Sequence, residues 1–235
     1  MVKIILRTGL LAGAVIFAAI CGKAGYADEV QLQTPKYQFN KETIIRGGQF
    51  FAQNCLTCHS MKYLRYNRLV VDLGLDEKFI KDNFMTPSGA EYLRGMTTAM
   101  PPESAAKWLN AAPPDLTLAA RYRGIDWIYT YLRSFYWDPG KPGGWNNHVF
   151  PGVAMPNVLF SYSGTTDDKG NVLEKAGYTS EEYDRITTDL AVWMRYTSDP
   201  SIIVRRQIAP YVIGFLLIFT LLAYLLKRAY WRDVH

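Results

Sequence analysis

The chain has 235 residues, three cysteines and a net charge of +5. That length suffices for one domain with its own core plus targeting or membrane segments, and three cysteines exclude a fold stapled by several disulfides. The basic excess sits at the two ends: residues 1–27 carry Lys3, Arg7 and Lys23, and residues 205–235 carry five basic side chains against Asp233, which leaves −2 for residues 28–204. Basic residues flanking hydrophobic stretches point to a membrane and away from nucleic acid.

Lys3 and Arg7 precede the apolar run Leu10–Ile20, and a small-residue stretch ends Gly25-Tyr26-Ala27 before Asp28. This predicts a secretory signal over residues 1–27, cut after Ala27. The run of 11 apolar residues falls short of the roughly 20 that an uncleaved span requires, and bulky Ile20 ahead of Cys21 argues against a lipid-anchored start. The next element is a helix over Lys41–Asn54, with Ile44, Gly48, Phe51, Ala52 and Cys55 on one face. Gly47 and Gly48 would each weaken it by about 1 kcal/mol, which makes sense where a second helix crosses closely.

That helix leads into Cys55-Leu56-Thr57-Cys58-His59. Two thiols at this spacing each add to one vinyl group of a haem, and the histidine that follows ligates the iron from one side. A zinc half-site wants further Cys or His ligands, of which only His148 is available outside the tail, and a thioredoxin-like pair wants a βαβ setting that is absent. One covalent haem c is therefore expected, held by Cys55, Cys58 and His59. The second ring nitrogen of His59 needs a partner, for which the carbonyl of Pro113 or Pro114 is a candidate. Propionates are costly to bury without donors, and Arg121 and Arg123 in PPDLTLAARYR are candidates against the plain reading of solvated surface arginines.

Asp126–Arg133 reads as a further helix, and Trp137–Pro156, with five Gly and Pro residues in Pro139–Gly144, as loop. The other side of the iron has candidates in Met155 of FPGVAMPNVL, Met100 and His148; Met61 is too close to His59 to reach around the ring, and Met194 falls on a packing helix. His plus Met ligation suits an electron carrier of raised potential. Thr179 and Glu182 have capping-box spacing and open a helix to about Thr197, striped by Tyr183, Ile186, Leu190 and Trp193, with Trp193 over Gly48. Ile208–Leu226 is 19 residues without a charge, about 28 Å as a helix, long enough to cross a bilayer, with Pro210 in its first turn. The export signal places residues 28–204 outside, on the periplasmic side of a bacterial inner membrane, and the tail of the 205–235 anchor in the cytoplasm. The class is mostly α.

RGGQFFAQNCLTCHSMKYLRYNRL, AAPPDLTLAARYR, FPGVAMPNVLF and a C-terminal anchor ending LLKRAYWR together resemble the cytochrome c1 family, the haem c subunit of the quinol–cytochrome c oxidoreductase (bc1) complex. The resemblance covers nearly the whole chain. It implies a class I cytochrome c-like haem domain with long loops, Met155 as distal ligand, and Arg123 ahead of Arg121 at a propionate. It also implies a redox subunit rather than an enzyme on its own, in a dimeric complex. The haem would take one electron from the Rieske iron–sulfur protein and pass it to cytochrome c, with the tail helix packed on cytochrome b. Trp127 stands where members often have tyrosine near the haem edge and is given no propionate role; the spare cysteine pair of some relatives is missing. The competing functions are a membrane-anchored cytochrome c shuttle outside such a complex, and a haem peroxidase using His148. Asp72, Asp76, Glu77, Asp82, Glu91, Asp167, Asp168, Glu181 and Glu182 are available to dock a basic cytochrome c.

Overall fold

Asn40 starts the first helix by accepting a hydrogen bond from the Thr43 N–H at 2.9 Å, which satisfies one of the free donors of the first turn. Helix α1 then runs Lys41–Asn54 and buries Ile44, Gly47, Gly48, Phe51 and Ala52, the face expected from the spacing. The computed structural model describes residues 30–86 and 89–232; the expected signal, residues 1–27, lies outside them. Three short helices follow: α2, Arg68–Leu73; α3, Glu77–Asn83, capped by Asp76; and α4, Pro102–Leu109. Next come α5, Ala119–Tyr122; α6, Ile125–Arg133; α7, Phe160–Ser163; α8, Ser180–Ser198; and α9, Ile202–Tyr230.

The core is the crossing of α1 with α8. Thr179 caps α8 in the predicted capping box, its hydroxyl accepting from Glu182 N–H while the Glu182 carboxylate accepts from Thr179 N–H. Trp193, fully buried, lies over Gly48, where an added Cβ would come 2.8 Å from its ring and 2.6 Å from Phe84. The ring centroids of Phe84 and Phe51 stand 5.9 and 6.5 Å from that of Trp193. The bidentate Arg46–Asp189 pair, at 2.8 and 3.1 Å, ties the same two helices at the edge of the core.

Among the described residues, three antiparallel two-stranded ribbons join the helices: β1, Met61–Arg65, with β2, Gly95–Met96; β3, Phe135–Trp137, with β4, Trp145–Asn147; and β5, Thr165–Thr166, with β6, Val172–Glu174. The second ribbon corrects the expectation that Trp137–Pro156 is all loop. Pro139–Gly144 turns the chain, and Gly144, at φ 71°, lets the Trp137 ring lie where a side chain would stand.

Helix α9 contains the expected span but begins earlier. Ile202 is buried and Ile203 packs on the core, so the helix starts within the domain and carries Arg205 and Arg206 before it becomes wholly apolar. Pro210 therefore lies in the helix interior rather than in the first turn, at the cost of one backbone hydrogen bond. The 29 residues of α9 make a rod of about 43 Å, and Tyr211, Leu217 and Leu222 expose most of their surface on it.

Candidate haem site

The end of α1 does not unravel at Asn54. Cys55 and Leu56 donate to the Phe51 carbonyl, and Cys58 and His59 both donate to the Cys55 carbonyl, at 3.1 and 2.8 Å. One further turn thus sets Cys55, Cys58 and His59 at i, i+3 and i+4, a spacing that places side chains on one face. Leu56 between them points inward and is fully buried, which anchors the turn. Burial, with Cys58 nearby, pushes the Cys55 thiol up to about 12, so it is held neutral.

The PPDLT segment is laced to this turn. Leu116 N–H donates to the Ser60 carbonyl at 2.8 Å, Lys62 N–H to an Asp115 carboxylate oxygen at 2.8 Å, and Tyr63 N–H to Thr117 Oγ1 at 3.4 Å. Asp115 also accepts from the Thr117 N–H and hydroxyl. The result is that the Pro114 carbonyl stands 2.9 Å from His59 Nδ1, the role expected for Pro113 or Pro114. A carbonyl only accepts, so the His59 proton is on Nδ1 and the Nε2 lone pair is left for a metal. Burial lowers the His59 pKa, opposed in part by the Pro114 carbonyl and by Asp115, which keeps the ring neutral as a ligand must be.

Met155 is half-buried, and its sulfur accepts a hydrogen bond from the Tyr131 phenol at 3.4 Å. Tyr131 stacks flat on Trp127, with centroids 4.9 Å apart and planes 8° apart, and meets the edge of Phe135. The Arg123 guanidinium lies 4.8 Å over Trp127. Arg123, Trp127, Tyr131 and Phe135 form one ladder at spacing four, leading from PPDLTLAARYR to Met155. Sequence reasoning passed over Tyr131, although that spacing was there to be read.

Arg121 is exposed and, behind Arg205 and Ser201, helps hold the Asp199 carboxylate below the usual range. Met100 sits on the segment clasped to the CLTCH turn, since Thr98 bonds both Ser60 Oγ and the Thr57 carbonyl. His148 is exposed and stacks on Tyr136 at 4.4 Å. Among the described residues no group of three or more His, Cys, Asp and Glu is placed to hold a metal ion. The donor set instead fits a haem c: two thiols on one turn, a neutral imidazole with Nε2 open, and a thioether held by the Tyr131 phenol of α6. A polar cleft of about 370 Å³, lined by Lys36, Arg46, Asp184 and Asp189 among others, shares none of these residues.

The acidic residues are largely committed. Asp72 pairs with Arg68 and accepts from the Tyr196 phenol, Lys81 holds Glu77, Lys78 holds Asp82, and Arg94 holds Glu91. Asp76 caps α3, Asp167 closes a turn and Glu182 belongs to the capping box.

The sequence matches the model of the Cytochrome C1 family over residues 31–234. The chain belongs to the cytochrome c1 family. It is 39% identical over 211 residues to cytochrome c1 of Allochromatium vinosum, covering 83% of this chain and 86% of that one. It is also 39% identical over 241 residues to a protein of Nitrosomonas europaea named ammonia monooxygenase gamma subunit, covering 100% and 99%. A cytochrome c1 of Rhodospirillum rubrum is 28% identical over 237 residues, covering 84% of each chain. As a cytochrome c1 the chain is a haem protein of electron transport, a redox subunit of a bc1 complex anchored in the membrane, and the apolar helix α9 matches that anchor.

Proposed function

We propose that this cytochrome c1 takes one electron from the Rieske iron–sulfur protein and passes it to cytochrome c within a dimeric quinol–cytochrome c oxidoreductase complex. The observation that carries the reading is the pair of fixed ligands: His59 Nδ1 on the Pro114 carbonyl at 2.9 Å and Met155 Sδ under the Tyr131 phenol at 3.4 Å. Cys55 and Cys58 would form the two thioethers, and His59 Nε2 and Met155 Sδ would donate to the iron. Haem c, when bound, supplies a one-electron iron couple. With His59 and Met155 both donating, the iron would keep no position for a substrate, which favours electron transfer over peroxidase chemistry; His148, exposed and stacked on Tyr136, is poorly suited to serve as its acid–base group. Arg123, on the ladder that ends at Met155, is the better propionate donor; Arg121 is the second.

In this reading residues 1–27 are removed on export, residues 28–204 lie on the periplasmic side, and α9 crosses the bacterial inner membrane at 208–226 with the tail in the cytoplasm. The exposed apolar side chains of α9 suit both lipid and a neighbouring membrane subunit, which we assign to cytochrome b. Purification from membranes in mild detergent tests this: cytochrome b and the Rieske protein are expected with the chain, and added quinol should reduce added cytochrome c. Isolation with neither partner would favour an anchored cytochrome c shuttle, and isolation with a monooxygenase would place the chain in another complex.

A further inference from the structure

We propose that Tyr131 is a positioning residue for the distal ligand, fixing the Met155 thioether and drawing electron density from its sulfur so that the haem potential is raised. This rests on Met155 being the iron ligand. The Tyr131 phenol donates to Met155 Sδ at 3.4 Å. A phenol, with an ordinary pKa of about 10, keeps its proton near neutral pH, and a thioether has no proton to give, so the hydroxyl is the donor. A thioether sulfur has two lone pairs; one accepts from the phenol and the other is left for iron.

The phenol is held rather than free to turn. Its ring is stacked on Trp127 and meets Phe135 edge to face, and the Arg123 guanidinium lies 4.8 Å over the Trp127 ring. The Tyr131 carbonyl is also bonded: the buried Asn147 donates to it through Nδ2 at 2.8 Å. The same Asn147 side chain accepts from the N–H groups of Val149 and Phe150 at 2.9 and 3.1 Å, and Asn146 accepts from Gly152 N–H at 2.8 Å. The loop that delivers Met155 is thus pinned to Tyr131 twice, through Asn147 at its start and through the phenol at the sulfur. The carbonyl bond would serve any residue at this position, whereas the bond to the sulfur requires the phenol.

A hydrogen bond to the sulfur makes it a poorer donor, which disfavours ferric iron relative to ferrous. Removing the hydroxyl should therefore lower the potential. Methionine sulfur is a weak acceptor, so the expected change is about threefold in the ferrous-to-ferric ratio at fixed ambient potential, or about 28 mV at 59 mV per tenfold.

The experiment is a redox titration of native and Tyr131→Phe chains in the assembled complex, with the sulfur-to-iron charge-transfer band of the ferric form recorded beside it. The phenylalanine keeps the stack, and thermal unfolding checks the fold. A lower potential with a shifted band is expected. An unchanged potential and band overturn the role of Tyr131 while leaving Met155 as ligand. A native protein without the band removes Met155 as ligand, and this inference with it. Trp127→Leu keeps the phenol but removes its stack, so it serves where Tyr131→Phe fails to assemble. A weakened or broadened band is expected there, and an unaltered one overturns the positioning.

Discussion

A β-carbon on Gly47 would fall 2.0 Å from the carbonyl oxygen of Asp189 and 3.0 Å from Trp193 Cβ. Helices α1 and α8 thus meet backbone to side-chain root, and no rotamer change relieves the overlap. Gly47→Ala should push the helices apart and lose about 3 kcal/mol of stability, the upper range for overpacking a core. Denaturant unfolding of the haem-loaded chain measures it. A loss under about 1 kcal/mol, the ordinary scale of a surface change, would mean the crossing is looser than described.

Asp115 is the clasp that sets the Pro114 carbonyl on His59. Its two oxygens accept three hydrogen bonds, from Lys62 N–H, Thr117 N–H and the Thr117 hydroxyl. Asp115→Ala leaves two backbone donors without partners and should cost about 2 kcal/mol, on the scale of bonds to a charged acceptor. Asp115→Asn should recover part of it. The same variants read the site as well: with the Pro114 carbonyl less fixed, the absorption bands of the haem should broaden in Asp115→Ala. Unchanged stability and spectrum would separate the clasp from the site.

What the sequence disclosed was the part fixed by local periodicity. The bounds of α1, the capping box at Thr179 and the contact of Trp193 with Gly48 each follow from spacings of three and four, and the structure repeats them. The β3–β4 hairpin was hidden because its strands are only three residues long and are joined by a Gly- and Pro-rich turn, so nothing in them alternates. Pro210 was misplaced because the helix start is decided by Ile202 docking in the core, a tertiary event. The asparagines at 146 and 147 read as ordinary loop residues. Their role appears only once the hairpin turns them inward to hold the loop before Met155.

The two thiols are expected to act independently in attachment. Cys55→Ala and Cys58→Ala should each leave one thioether, so haem stays with the chain on a denaturing gel at reduced yield. The double variant should release all of it. Haem retained by the double variant would show that a different side chain holds it. Loss from either single variant would show that both bonds are needed for assembly.

The capping box of α8 gives a pH dependence whose sign is fixed. The Glu182 carboxylate is held below its ordinary value of 4.5, first by the Thr179 N–H and then by the Thr179 hydroxyl. A carboxyl whose folded pKa is depressed adds stability above the unfolded value, and that stability is lost as pH falls through the folded one. Thr179→Ala should cost about 1 kcal/mol near neutral pH, as loss of an N-cap does. Glu182→Gln should make the chain less stable than the native one near pH 7, with the gap closing as the pH falls through the depressed folded pKa of Glu182, below which both side chains are neutral. Thermal unfolding across that range measures the gap. A gap that stays constant would mean the carboxylate contributes through its shape and not through its charge.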